Sequence, residues 1–84
     1  MIMNGTHRCK DCEQAHRVLR ENHIEYEYRD IHAKLSHLKE FLALRDRQAL
    51  FAQVKEEERI GVPCFYWPES GRVELDIEKV VKGA

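Results

Sequence analysis

Ile24, Tyr26 and Tyr28 alternate with Glu25, Glu27 and Arg29 directly after a segment, Asp11 to about Asn22, in which Ala15, Val18 and Leu19 recur at helical spacing opposite Glu13, Arg17 and Arg20. A two-residue period following a helical one marks a half-buried strand behind an amphipathic helix. With Met1–Met3 as a short first strand and a Gly5-containing loop after it, the order is strand, helix, strand. Two strands joined through a helix are expected to lie parallel, and such crossovers are almost always right-handed.

The remainder of the chain extends this unit. Leu35, Leu38, Phe41 and Leu42 form one apolar face, and Ala49, Leu50, Phe51 and Val54 form another beyond the charged Arg45-Asp46-Arg47. One bent helix or two short ones satisfy this pattern. Glu56-Glu57-Glu58 closes the segment as a solvated charge run, and Gly61 and Pro63 interrupt helical structure. Val62 to Trp67 has strand character, Pro68-Glu69-Ser70-Gly71 is a turn, and Val73 and Leu75 alternate with Arg72, Glu74 and Asp76, which predicts an antiparallel hairpin. Ile77, Val80 and Val81 give a last short helix stopped by Gly83. The expected class is α/β, a small mixed sheet with flanking helices. Eighty-four residues leave room for one domain, 1–84, with no repeat or linker.

Charge narrows the partners. The 14 Lys and Arg nearly cancel the 15 Asp and Glu, so no net field attracts nucleic acid or an anionic membrane surface. An apolar leader with a cleavage site and a membrane-length apolar run are both missing, so a cytoplasmic protein is expected. In a reducing compartment, three cysteines without the spacing of a disulfide framework suggest catalysis, redox sensing or metal binding rather than structural staples.

Cys9-Lys10-Asp11-Cys12 is where that chemistry concentrates. Two cysteines three apart at the start of a helix can close a reversible disulfide. Exchange requires a thiolate, and the unpaired N–H groups and dipole of a helix N-terminus favour negative charge at Cys9 by about 0.3–1 kcal/mol. Arg8 and Lys10 add to this, the Cys12 thiol and amide can donate to the Cys9 sulfur, and Asp11 opposes it.

The element order, the cysteine pair after the first strand, and Ile60-Gly61-Val62-Pro63-Cys64-Phe65 at the start of the third together resemble the glutaredoxin branch of the thioredoxin fold, over nearly the whole chain. Phe41-Leu42-Ala43-Leu44-Arg45-Asp46 has close parallels in small bacterial glutaredoxin-related proteins. The resemblance implies a thioredoxin-like fold with a four-stranded mixed sheet, and a thiol–disulfide oxidoreductase in which Cys9 is the nucleophile and Cys12 resolves the mixed disulfide. It implies a cis peptide before Pro63 and glutathione as reductant. The Val62 backbone would pair with the cysteinyl unit of glutathione, Arg59 would take a carboxylate, and Asp76 would partly replace the acidic residue that holds the γ-glutamyl end. Disulfide-containing proteins are the other expected partners, the chain acting as a monomer without metal. The sequence departs from the family pattern in three places. Thr6 stands where the family has Lys, no aromatic lies between the cysteines, and Glu74-Leu75-Asp76-Ile77 replaces a Gly-Gly segment.

Two other readings use the same residues. Cys64, adjacent to Pro63 and expected close to Cys9, would complete a zinc or iron–sulfur site with Cys9, Cys12 and either His7 or His16. Alternatively the pair is a redox switch in a non-catalytic binding module, with Lys34, Lys39, Arg45 and Arg47 available to a partner. His23, His32 and His37 have no carboxylate or cysteine at useful spacing and read as surface residues.

Overall fold

Each predicted period reappears as an element in the computed structural model, which describes residues 1–83. In chain order these are β1 (Ile2–Gly5), α1 (Lys10–Glu21), β2 (Glu27–Asp30), α2 (Leu35–Arg47), a 3-10 turn (Ala49–Phe51), α3 (Ala52–Glu56), β3 (Cys64–Trp67), β4 (Arg72–Glu74) and α4 (Ile77–Lys82). The sheet runs β2-β1-β3-β4, with β1 and β2 parallel and the other two pairings antiparallel. It is therefore a four-stranded mixed sheet with helices against it, the α/β architecture that the element order predicts. Among the described residues no helix is long and apolar enough to cross a membrane.

Register decides which residues share a face. Met3 lies opposite both Tyr28 and Phe65, and these three pack with Cys12, Ala15 and Leu19 of α1 and Val80 of α4. Residues of the other parity, Cys64, Tyr66 and Val73, pack with Phe41 and Leu44 of α2, Phe51 and Val54. Burial on both faces supplies the main stabilisation, as apolar surface removed from water is worth roughly 25 cal/mol per Å². At the far edge Gly71, with φ 78°, closes the β3–β4 turn by donating to the Trp67 carbonyl at 2.8 Å, and the Arg72 guanidinium lies 4.4 Å from the Trp67 ring centroid.

Several local expectations change. β1 extends to Gly5, and β2 begins only at Glu27, although Ile24 and Tyr26 still pack on the first cluster. Leu35 and Leu42 are exposed at 65% and 38%, whereas Phe41 and Leu44 are buried. The stripe facing the sheet follows the three-residue step from Leu38 to Phe41 to Leu44, which turns Leu42 outward. At Gln48 the backbone is extended, φ −106° and ψ 119°, so the helical region divides there, and the 3-10 turn buries Phe51 while Leu50 stays exposed. β3 starts at Cys64 rather than Val62, and β4 ends at Glu74, before Leu75.

The segment between α3 and β3 depends on two left-handed residues. Glu58 has φ 59°, and Arg59 N–H donates back to the Val54 carbonyl at 2.9 Å, ending the helix. Gly61 has φ 103°, and a Cβ there would lie 3.0 Å from the Phe51 ring. Gly61→Ala is expected to destabilise the protein by about 1–3 kcal/mol, seen as a lower urea midpoint with little change in slope. Gly71→Ala, also left-handed but with open space around the new methyl group, should lose less.

Candidate active site

α1 begins at the cysteine pair. Cys9 is the N-cap, with extended backbone (φ −117°, ψ 122°), and its Sγ accepts the Cys12 N–H at 3.3 Å. A thiol rather than a hydroxyl or carboxylate thus satisfies one of the orphan donors of this helix. Asp11 and Glu13 in the first turn and Arg20 in the last match the helix dipole. The two sulfurs occupy different environments. Cys9 is partly exposed, while Cys12 is 1% exposed in the first core cluster.

Gly5 leaves room for that burial. A Cβ at Gly5 would stand 3.2 Å from both Cys12 Sγ and the Tyr28 ring, so a side chain there would press on both and push them back by a few tenths of an ångström. Burial pushes the Cys12 thiol up to about 12. A hydrogen bond from the Thr6 backbone works against this, while the Cys9 sulfur and the Asp11 carboxylate add to it. Tyr28 is likewise pushed up to about 12, first by burial and then by the negative charge of Asp30 and the two cysteines.

Asp30 lies beyond Tyr28 on the same face of β2. Burial would raise its pKa. Hydrogen bonds from His7 Nδ1 (2.9 Å) and the His32 N–H (2.8 Å), with the His7 backbone and charge, outweigh burial and bring Asp30 down to about 2. Tyr28, Asp30 and His7 therefore join the surroundings of the pair; Tyr28 and Asp30 have no site role from sequence, and His7 has only that of a candidate metal ligand. Tyr28 and Asp30 carry a signal, the same parity on one strand, but their proximity to Cys12 follows only from the β1–β2 register.

Asp11, which lies between the two cysteines in sequence, lines a cleft of about 630 Å³ whose walls include neither cysteine. Arg59, Val62, Pro63 and Asp76, the four residues expected to bind a thiol ligand, all line it, together with Asp11 and Gln14 of α1. The Val62–Pro63 peptide is cis, as the resemblance implies. Arg59 is ion-paired with Glu57 at 2.6 Å, and its carbonyl accepts from Arg45 at 3.1 Å. Asp76 is the N-cap of α4, where Oδ1 accepts the Glu78 N–H at 2.9 Å.

Cys64 does not lie with Cys9. Opposite Asn4 in register, it points to the other face of the sheet, fully buried among Phe41, Phe51 and Val54, and burial pushes its thiol up to about 12. His7 is held by Asp30, and His16 bonds the Tyr26 hydroxyl and meets the Tyr28 ring edge-on. The structure thus engages Cys64, His7 and His16 elsewhere, and among the described residues no three His, Cys, Asp or Glu side chains form a group able to hold a metal ion. Of the histidines expected at the surface, His32 bonds the Thr6 hydroxyl and His37 bonds the Asp30 carbonyl.

No family model, curated protein or solved structure matches the chain.

At pH 7 brief treatment of the reduced native protein with iodoacetamide is expected to modify Cys9 alone. Cys12 and Cys64 should react only after denaturation, since each is both buried and held as the thiol. Peptide mapping of the labelled sites checks this.

Proposed function

We propose that this protein is a glutaredoxin-like thiol–disulfide oxidoreductase with a thioredoxin-like fold, which reduces protein or glutathione mixed disulfides with Cys9 as nucleophile and Cys12 as resolving thiol. The observation that carries the reading is the division of labour at the start of α1. A partly exposed sulfur accepts the amide hydrogen of the residue three positions on, and the second sulfur lies inside at reach of the first. A cleft lined by Arg59, Val62, Pro63 and Asp76 also takes in Asp11 from between the cysteines, and those four residues are where the resemblance puts glutathione. The element order and mixed sheet support the same reading. Chemistry of this kind suits a reducing compartment such as the cytoplasm.

In the first step the Cys9 thiolate attacks one sulfur of the substrate disulfide. A Cys9–substrate disulfide forms, the substrate S–S bond breaks, and the departing thiolate takes a proton from solvent. Two routes leave this intermediate. Cys12 can lose its proton and attack Cys9 Sγ, giving the Cys9–Cys12 disulfide and releasing the second substrate thiolate. Alternatively an external thiolate such as glutathione attacks the mixed disulfide and regenerates Cys9. On the first route two further thiols must reduce the intramolecular disulfide, so electrons balance on both.

The Cys9 sulfur is partly exposed and accepts the Cys12 amide hydrogen, whereas burial opposes charge on Cys12. Even with Cys9 tied up in a mixed disulfide, when its charge no longer acts on Cys12, the burial that does most to raise the Cys12 thiol remains. External thiol is therefore the faster exit at neutral pH.

Coupled turnover of a glutathione mixed disulfide with glutathione reductase tests the assignment. Cys9→Ser should reduce turnover at least about a hundredfold, and Cys12→Ser should keep most of it. Turnover that survives Cys9→Ser would remove Cys9 from the mechanism.

A second expectation concerns pH. Because the Cys12 thiol lies near 12, its thiolate fraction rises about tenfold per pH unit through the neutral range. Closure of a preformed Cys9–glutathione adduct to the Cys9–Cys12 disulfide should accelerate with that slope between about pH 6 and pH 9. A plateau near neutrality in rapid-quench measurements would show that Cys12 ionises far more readily than its burial implies.

A further inference from the structure

The charge of the cleft that Asp11 joins to the cysteine pair is opposite to what an anionic thiol tripeptide requires. Three carboxylates line it, Asp11 from α1, Glu58 from the turn after α3, and Asp76 at the start of α4. Arg59 is the cleft's one cationic residue, and its guanidinium is engaged by Glu57 at 2.6 Å. Arg8 and Lys10, next to Cys9 in sequence, are not part of the lining. Asp76 uses Oδ1 to cap α4, and no bond holds its second oxygen, which stays available on an exposed side chain. Between these charges the floor is apolar, built from Val54, Ile60, Val62, Pro63, Leu75 and Ile77. Walls of one sign around a low-dielectric floor concentrate the potential.

We infer that this cleft selects disulfides carried on extended, positively charged polypeptide segments, with the apolar floor taking the stems of lysine or arginine side chains and Asp11, Glu58 and Asp76 taking their charged ends. The inference rests on the oxidoreductase reading and names its substrate class: a cysteine flanked by basic residues in a protein disulfide, in preference to glutathione.

The test uses three synthetic peptides, Gly-X-Cys-X-Gly with X as Lys, Ser or Glu, each disulfide-linked to thionitrobenzoate. Attack by Cys9 on the peptide sulfur forms the Cys9–peptide disulfide, breaks the bond to thionitrobenzoate and releases it as the coloured thiolate. Its rate of release from the reduced, intact protein is divided by the rate with free dithiothreitol, to remove differences in intrinsic reactivity. The Lys peptide is expected to react about tenfold faster than the Glu peptide at low salt, and the ratio should shrink toward one as salt is raised. A Glu58→Gln, Asp76→Asn double substitution, which retains an N-cap at position 76, should lower the ratio severalfold at low salt. Equal rates for the Lys and Glu peptides, or a faster Glu peptide, with the Ser peptide still reduced, would overturn the charge selection and leave the oxidoreductase reading standing. Failure to release thionitrobenzoate from any of the three above background would overturn that reading, and the inference with it.

Discussion

The approach of β1 to the first turn of α1 at Gly5 is the constraint on which the site depends. Cys12 Sγ and the Tyr28 ring both occupy the space that a side chain at Gly5 would need. That packing seats the N-terminus of α1 against the end of the strand and turns one cysteine of the pair inward. The other is left as the cap, where a backbone N–H meets its sulfur. Two chemically identical side chains three residues apart thereby become unequal, one partly exposed with a backbone N–H on its sulfur and one held neutral by burial. The inequality needs no third residue. It follows from where the sheet ends and the helix begins.

Cys64 illustrates the same principle by contrast. It follows the cis Val62–Pro63 peptide and neighbours the cleft in sequence, yet the strand's two-residue alternation directs it into the core on the opposite face. Its thiol is pushed up as far as that of Cys12 by burial, against an opposing hydrogen bond with the Asn4 side chain. A raised thiol is therefore no mark of function by itself. What separates Cys12 from Cys64 is a second sulfur within reach and an open surface next to it.

Much of this was legible in the sequence because it rests on local periods. The helix carrying Ala15 and Leu19, the Cys64–Trp67 strand, the turn at Gly71 and the last helix all follow from spacing and from glycine and proline chemistry, and the cysteine pair came with them, whereas the four cleft residues were expected only from the family resemblance. What escaped depends on register. Whether Leu42 or Leu44 faces the sheet is fixed by how α2 rotates as it docks, and both fit an apolar stripe. The orientation of Cys64 depends on its pairing with Asn4, and a shift of one residue would have reversed it. Tyr28 and Asp30 show parity in the sequence, but only the parallel pairing of β2 with β1 sets them beside α1. The cleft's acidity was hidden for a similar reason, as Asp11, Glu58 and Asp76 belong to segments far apart in a chain whose charges nearly cancel overall.

Those two hidden features act on the same intermediate. On the oxidoreductase reading, a substrate joined to Cys9 leaves either by attack from Cys12 or by attack from an external thiolate. Burial keeps Cys12 protonated, which slows the internal exit. The acidic cleft repels an incoming anionic thiol and holds a cationic segment in place, which slows the external one. The cleft's charge acts on the first attack as well, favouring cationic segments, whereas the burial of Cys12 does not touch that step, since Cys9 lies at the helix terminus with its sulfur partly exposed. On that reading, capture depends on the exposed sulfur at the start of α1 and on the charge of the cleft, and release depends on the buried thiol.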